Sequence, residues 1–373
     1  MNKAIFISSV VALSSFNANS GISIIDNENG NFSIGGDVEF DLNYRDLHES
    51  DSTNFDQDGR IRLNFDGERF TDNGKIFKVR VQPKMGTDGS ISTDDAWFSF
   101  GQKESWALRV GRFEAFDMFP VGQDTFLEYS GNTSNSLYQD GEVYAYQMKE
   151  GRGRGTSGQL MYTQKFDNLY VELGTLIGDR SVLFGDSTID GTMSYHGLEV
   201  TNNKDSALLR PVVQYQLGDL SLAASMEMNL VKDAVIITSG GEKIDISDRL
   251  GYGVTGKYNL NNIELIANVA YMDAVDEKNL TLGANALIHG FGIGYIFAEN
   301  KFENKKISGW AEGKATSDTV YASYEFSDVM TLEDFSIYLG AYYTKVNDKT
   351  TNSVISFNED KDKGLRLRFK YYF

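Results

Sequence analysis

The last nine residues of the chain alternate strictly between apolar and polar side chains. Leu365, Leu367, Phe369, Tyr371 and Phe373 fall on one side, and Arg366, Arg368, Lys370 and Tyr372 fall on the other. Because successive side chains of a β-strand point to opposite faces, this segment predicts a strand with one apolar and one cationic face. Such a strand suits a β-barrel in a bilayer, where the apolar face contacts acyl chains and the polar face lines water. The pattern therefore predicts a transmembrane barrel.

The other end of the chain has the pattern of an export signal. Lys3 gives a basic start, residues 4–13 form a short apolar run, and small residues follow at 17–20. This order predicts a signal peptide over residues 1–20. After it the sequence has no run of roughly eighteen apolar residues, so no transmembrane helix is expected. Residues 21–373 are predicted to form the barrel.

Composition narrows the possible partners and cofactors. The sequence has no cysteine, so neither disulfides nor thiolate metal sites are expected to stabilise it. Its net charge of −18 disfavours nucleic acid, whose phosphates bind basic surfaces. We expect no cofactor. The acidic segment 48–58 is predicted to be an external loop, which could hold divalent cations that bridge lipopolysaccharide or could simply be solvated.

Apolar and polar residues alternate along nearly the whole chain. With 37 glycines and 3 prolines, the pattern predicts an all-β, antiparallel, up-and-down transmembrane barrel of about sixteen strands. The first five strands are predicted at 32–45, 60–65, 77–82, 94–101 and 105–112. Hairpin turns are predicted at 166–168, 218–219 and 261–262, the twelfth strand is predicted to end near residue 298, and the last four are predicted at 306–312, 319–327, 335–346 and from 362 onward.

The connections provide a check on this strand count. If one rim of the barrel faces the periplasm, short turns should alternate with long loops. Residues 179–204 are assigned to one external loop, because a strand at 192–200 would place the long segment 232–248 among the short turns. An even number of strands follows, with both termini periplasmic.

A barrel of about sixteen strands leaves an aqueous lumen, whereas about eight strands are filled by their own side chains. Residues 97–100 (Trp-Phe-Ser-Phe) and 108–112 (Leu-Arg-Val-Gly-Arg) resemble the strand pair that precedes the constriction loop of general porins. The terminal Phe373 resembles the final residue of bacterial outer-membrane proteins. The chain is therefore similar to the trimeric porins of Gram-negative outer membranes. The resemblance implies a homotrimer in which the long segment 113–156, inserted after strand five, folds inward as a constriction loop.

Charged residues with inward parity are candidates for the pore lining. The basic candidates are Arg60, Arg62, Lys78, Arg80, Arg109, Arg366, Arg368 and Lys370. The inserted loop could oppose them with Glu114, Asp117, Asp124 and Glu128, which would produce a transverse field of the kind that porins place across the constriction. Alternatively, several arginines pair with Asp37, Glu39 or Asp66 on adjacent strands.

Aromatic residues suggest a preference among solutes. The loop carries Phe113, Phe116, Phe119, Phe126 and Tyr129, and inward positions on strands carry Trp97, Tyr170, Tyr338, Tyr342 and Tyr372. Sugars stack their apolar CH faces on such rings, so the chain looks similar to raffinose-type glycoporins. Alternatively, the loop aromatics form a small core that fixes the loop to the wall.

The sequence thus predicts an outer-membrane channel for passive diffusion of small hydrophilic solutes, with a preference for sugars and oligosaccharides. A non-selective porin is the alternative, and an adhesive barrel or a barrel enzyme is a weaker one. His48, His196 and His289 have no nucleophile motif around them and no clustered metal ligands, so neither enzymatic activity nor a metal site is expected.

Overall fold

The computed structural model describes residues 21–47, 52–121, 143–149, 158–184, 194–309, 312–351 and 359–373. Within them, sixteen antiparallel strands form a closed barrel, because each strand pairs with the next and the last pairs with the first. The strands are β1 (Gly30–Leu47), β2 (Ser52–Phe70), β3 (Lys75–Gly86), β4 (Ile91–Gln102), β5 (Trp106–Arg112), β6 (Gln159–Phe166), β7 (Leu169–Gly178), β8 (Ser206–Leu217), β9 (Leu220–Asn229), β10 (Leu250–Leu260), β11 (Ile263–Ala274), β12 (Glu277–Ile288), β13 (Phe291–Phe302), β14 (Gly313–Phe326), β15 (Phe335–Asp348) and β16 (Glu359–Tyr372). The count and the up-and-down order confirm the prediction.

The alternation of side chains sets the two faces of the barrel. On β3, Phe77 and Val79 are exposed on the outer surface, whereas Arg80 and Gln82 are buried on the inner side. The same alternation on β1 places Asp37 inside. Since the outer surface is apolar along the strands, it suits contact with acyl chains. Among the residues that the structure describes, no helix is both long enough and apolar enough to cross a bilayer.

The barrel closes between β1 and β16, in a register that pairs Asp37 with Tyr372. The last residue extends this pairing, because the Phe373 carbonyl accepts from Gly36 N at 2.8 Å and Phe373 N donates to the Gly36 carbonyl at 3.0 Å. A Cβ at Gly36 would lie 2.7 Å from Cζ of the Phe373 ring. Glycine therefore leaves room for the terminal ring. A short additional strand, Ile22–Asn27, pairs with the start of β1.

Short turns and long connections lie mostly at opposite rims, as the parity argument predicts. Residues 71–74, 103–105 and 167–168 make tight turns at the rim that carries both termini. The opposite rim carries the long connections 113–158 and 179–205. The second of these contains a short helix, Ser181–Phe184, and the two-residue strands Ser194–Tyr195, Leu198–Glu199 and Thr201–Asn202. None of these described elements joins the barrel, which confirms the assignment of 179–204 to a loop. In the next long connection, Val235–Ser239 pairs with Glu242–Asp245 and with the last of those short strands.

The sequence misplaces strands twelve and thirteen. A turn at His289-Gly290 separates β12 from β13, and both residues have positive φ, 46° and 81°. Two residues of this kind form a tight hairpin turn that matches the twist of the sheet. The predicted strand at 306–312 is wrong, because Lys306 N and Ile307 N both donate to the Asp276 side chain at 2.7 Å instead of to a neighbouring strand.

Ion pairs also stabilise this external connection between β13 and β14. Lys305 and Lys301 hydrogen-bond the Glu303 carboxylate and lower its pKa to about 2. The group is therefore ionised at neutral pH. Residues 310 and 311 of the predicted strand lie outside the described residues.

The predicted acidic loop 48–58 is also too long. β2 begins at Ser52, and Asp56 Oδ2 on this strand lies 2.7 Å from Arg45 Nη2 on β1. The ion pair lets the strand continue through an acidic sequence. Residues 48–51, with Glu49 and Asp51, lie outside the described part of the chain, and cation binding there stays a prediction.

Candidate functional site

Charged side chains line the inner side of the barrel where it closes. Lys370 Nζ on β16 lies 2.8 Å from Glu39 Oε1 on β1. Arg368 Nε lies 2.7 Å from Asp41 Oδ1. Arg366 donates to Asn43 at 2.8 Å and lies 3.6 Å from Asp41. These interactions link the two strands that meet at the closure.

The network continues from β1 to β2. Arg60 lies 2.8 Å from Glu39 and 3.4 Å from Asp37. Arg62 lies 2.6 Å from Asp37 and 2.6 Å from Asp94 of β4. Because Asp37 is fully buried, its two arginine partners compensate its charge.

Two further pairs connect β2 with β3. Arg80 donates to both oxygens of Asp66, at 2.6 and 3.2 Å, and Lys78 pairs with Glu68. We use "charged wall" for these residues together: Asp37, Glu39, Asp41, Arg60, Arg62, Asp66, Glu68, Lys78, Arg80, Asp94, Arg366, Arg368 and Lys370. The side chains of Arg60 and Lys78 are 25% and 28% exposed, so the wall still contacts water. The pairing with acids on adjacent strands is the arrangement that the sequence left as an alternative.

Arg109 on β5 differs from this set. Its guanidinium carbon lies 4.3 Å from the centre of the Trp97 ring and 5.3 Å from that of Phe113. The side chain is buried, with 7% exposure. Arg109 therefore lies between aromatic rings instead of in the charged wall.

The opposite side of the interior contacts the segment that follows β5. The Pro120 carbonyl accepts from Asn268 of β11 at 2.8 Å and from Asn285 of β12 at 3.2 Å. The Val121 carbonyl accepts from the Tyr321 hydroxyl of β14 at 3.1 Å. Inward side chains of distant strands thus satisfy backbone groups of residues 113–121, which consequently lie inside the barrel.

The later part of the same connection, 143–149, makes similar contacts. Tyr144 exchanges two hydrogen bonds of 3.0 Å with the Asn300 side chain of β13. The Tyr146 hydroxyl donates to Glu227 of β9 at 2.5 Å. Residues 122–142 and 150–157 lie outside the described residues, so the complete path of the predicted constriction loop stays a prediction.

The acidic candidates of this loop have different positions. Glu114 is exposed. Asp117 accepts from Phe119 N at 2.7 Å and lies 3.7 Å from Lys149 Nζ, so it interacts within its own connection. Asp124 and Glu128 lie outside the described residues. The transverse field between loop and wall stays a prediction.

Five of the eight aromatic candidates that lie in the described residues are buried. Trp97, Phe113, Phe119, Tyr170 and Tyr342 are at most 5% exposed. Phe116 stacks on Tyr170, with ring centres 6.0 Å apart. This arrangement matches the alternative in which aromatics fix the loop to the wall.

Two aromatic candidates are partly exposed on the inner side. Tyr338 lies opposite Arg368 in the β15–β16 register, and its hydroxyl donates to Glu325 at 2.9 Å. The Tyr372 ring centre lies 5.3 Å from Lys370 Nζ. Both rings therefore lie beside the charged wall. Phe126 and Tyr129 lie outside the described residues.

Sequence reasoning missed the polar side chains that hold the inserted segments. These side chains have inward parity: Thr255, Asn268, Asn285 and Asn300. Each is uncharged and isolated in the sequence, so the alternation of residues does not indicate that it binds the inserted segments. His196 lies in the predicted loop 179–204. It is buried there, with Nε2 3.0 Å from Glu277 and its ring stacked on Tyr195, contacts that the sequence does not indicate.

The other histidines add no site. His289 lies in the β12–β13 turn instead of in a strand, and His48 lies outside the described residues. Within the described residues, no three His, Asp or Glu side chains are placed to hold a metal ion.

Solved structures show the same fold. Salmonella typhi OmpF in complex with daunomycin is 13% identical, with a TM-score of 0.60 over 94% of this chain and 100% of that chain. The outer-membrane channel DcaP of Acinetobacter baumannii is 10% identical, with a TM-score of 0.59 over 94% and 100%. The trimer form of OmpT, an outer-membrane protein of Vibrio cholerae, is 12% identical, with a TM-score of 0.55 over 93% and 100%. No curated protein matches the sequence.

The closed barrel, its apolar outer surface and its charged inner side define an outer-membrane channel of the porin class. The model of the family described as "Porin-like glycoporin RafY" matches residues 34–373. The chain belongs to this family.

Proposed function

We propose that this barrel is a passive channel for small hydrophilic solutes that favours sugars and oligosaccharides over other solutes of the same size. The observation that carries the proposal is the charged wall, whose side chains are paired with one another and whose Arg60 and Lys78 side chains are still partly exposed. Paired arginines and carboxylates offer hydrogen-bond donors and acceptors side by side, and sugar hydroxyls require both. The family description, a glycoporin, supports the same solute class.

Tyr338 and Tyr372 add a second recognition element. Both rings lie beside the charged wall and are partly exposed, so a sugar that bonds the wall could place an apolar CH face on either ring. The buried rings of Trp97, Phe119 and Tyr342 have no such open face. Sugar contact is therefore assigned to the wall and these two tyrosines, and not to the three buried rings.

A non-selective porin is the second candidate, because so many of the aromatic side chains are buried. Single-channel recordings with added raffinose separate the two functions. A sugar-selective channel is blocked in a saturable way, whereas a non-selective channel shows a conductance that falls only with solution viscosity.

The Tyr338→Ala variant tests the recognition element. We expect the raffinose concentration for half-block to rise about three- to tenfold, as loss of one stacking contact of about 1 kcal/mol predicts. Tyr343→Ala is the matched control, since Tyr343 is on the same strand and 44% exposed on the outer surface. If the raffinose concentration for half-block is the same in both variants and the unmodified protein, the Tyr338 ring does not contribute to sugar binding.

We also propose that the protein is a homotrimer and that residues 1–20 are removed on export. The trimer form of the Vibrio cholerae protein supports the first proposal, and the order of charge, apolar run and small residues supports the second. Mass spectrometry of the purified complex measures both the subunit number and the first residue. A monomer after gentle extraction, or a chain beginning at Met1, would contradict the respective proposal.

A further inference from the structure

Arg109 differs from every other basic candidate in its partners. Each of Arg60, Arg62, Lys78, Arg80, Arg366, Arg368 and Lys370 has a carboxylate oxygen within 4.0 Å. The described residues give Arg109 no ion pair, and its Nε is buried without a hydrogen-bond partner. A buried charge that is neither paired nor hydrogen-bonded is costly, so its retention needs an explanation.

Aromatic rings hold the guanidinium in place. Its carbon lies 4.3 Å from the Trp97 ring centre and 5.3 Å from that of Phe113. The attraction of the cation to these ring faces offsets part of the burial cost but provides no hydrogen-bond acceptor in the plane of the guanidinium. The five N–H donors of arginine point outward in that plane, and no acceptor among the described residues bonds those of Arg109.

The two acids that act on Arg109 have other hydrogen-bond partners. Asp95 and Glu172 act on Arg109 electrostatically, yet neither forms an ion pair with it. Asp95 accepts from the Trp97 Nε1–H at 3.3 Å. Glu172 accepts from Arg210 at 3.3 Å and from the Tyr170 hydroxyl at 2.8 Å. Their positions leave the donors of Arg109 unused.

We propose that Arg109 binds the oxyanion group, a carboxylate or a phosphate, of a solute in the channel. A planar guanidinium with fixed orientation donates two parallel hydrogen bonds to such a group, and the bound anion supplies the missing counter-charge. The inference rests on the proposed channel function. It adds a binding site for anionic solutes on β5, separate from the charged wall.

Inorganic phosphate is the probe for this site. Single-channel conductance of the purified protein is measured at constant chloride concentration and ionic strength while phosphate is titrated. We expect a saturable fall in conductance. In Arg109→Gln the half-saturating concentration should rise by about tenfold or more, as loss of a charged hydrogen-bond pair predicts.

Two variants serve as controls. Arg109→Lys keeps the charge but loses the paired donors, so its half-saturating concentration should lie between those of the unmodified protein and Arg109→Gln. If Arg109→Gln fails to fold, the comparison of Arg109→Lys with the unmodified protein tests the proposal. Arg45→Gln removes an arginine of β1 that is paired with Asp56 and lies outside the charged wall, and should change the half-saturating concentration less than about twofold.

The outcomes are distinct. Conductance without a saturable phosphate effect, identical curves for the Arg109 variants and the unmodified protein, or an equal shift in Arg45→Gln would each overturn the site and leave the channel intact. Absence of any conductance in the unmodified protein would overturn the proposed function and this inference together.

Discussion

Asp37 shows how one carboxylate organises the inner side of the barrel. It is fully buried and lies within hydrogen-bonding distance of Arg62, which also reaches Asp94 two strands further on. A single acid on β1 thus fixes the position of an arginine on β2, and that arginine fixes an acid on β4. Each charge in this set has an opposite charge beside it. The electric field at this part of the inner surface therefore depends on how these pairs are arranged, and not on the net charge of the chain.

Replacing Arg62 and Arg80 together by glutamine should make the channel more cation-selective. The substitutions leave Asp37, Asp94 and Asp66 with fewer positive neighbours, so the inner side becomes negative. The reversal potential in a potassium chloride gradient measures the change.

Arg69→Gln is the control for this pair of substitutions. Arg69 is on β2 as well, but it is exposed and has outward parity. An unchanged reversal potential in the double variant, or an equal change in Arg69→Gln, would show that these arginines do not set ion selectivity.

At the scale of the strand, Gly36 on β1 makes room for the end of β16. A Cβ there would lie 2.3 Å from the Arg62 carbonyl and 2.7 Å from the Phe373 ring. We expect Gly36→Ala to destabilise the barrel by about 1 to 3 kcal/mol, the usual cost of overpacking. The temperature at which the folded band is lost in gel electrophoresis measures this.

Gly256→Ala provides the comparison for Gly36→Ala. Its Cβ would meet Leu222 at 3.5 Å, an ordinary contact. If both variants lose the folded band at the same temperature as the unmodified protein, the fit of the terminal ring at Gly36 is not a source of stability.

The alternation of apolar and polar residues predicted most of the barrel. In a strand with one apolar and one polar face, the type of each residue indicates whether its side chain points outward or inward. The prediction failed where that information was absent or misleading. His289-Gly290 reads as a continuation of a glycine-rich strand, although two positive φ angles turn the chain. Residues 52–58 read as a loop because they are acidic, although Arg45 on the facing strand pairs with Asp56.

The candidate site was harder to predict than the fold. Inward parity identified the basic residues, but their partners depend on the register of β1 against β2 and β16, which alternation alone does not fix. The burial of Trp97 and Phe119 depends on where residues 113–121 lie in the interior. That position is set by side chains on strands from β8 to β14, far away in sequence.

At the scale of the whole molecule, the interior is divided. Residues 113–121 and 143–149 contact the inner side of the strands from β8 to β14, and the charged wall lies on β16 and β1 to β4. The width of any water-filled path between these two regions therefore depends on how firmly the inserted segments are held.

Asn268→Ala combined with Asn285→Ala should increase single-channel conductance and its fluctuations. Both side chains donate to the Pro120 carbonyl, and without them this half-buried acceptor loses its partners on β11 and β12. Asn259→Ala, at an exposed position of β10, is the control. Conductance equal to that of the unmodified protein would show that these two asparagines do not hold the segment.

The closure by Phe373 also governs when the barrel is complete. The strands that meet there, β1 and β16, are the most distant pair in the sequence, and the last residue of the chain takes part in joining them. Such non-local pairing is the slowest to form during folding. Until it forms, both strands have unpaired edges that can bind other chains. A polypeptide that lacks β16 would therefore keep aggregation-prone edges on β1 and β15.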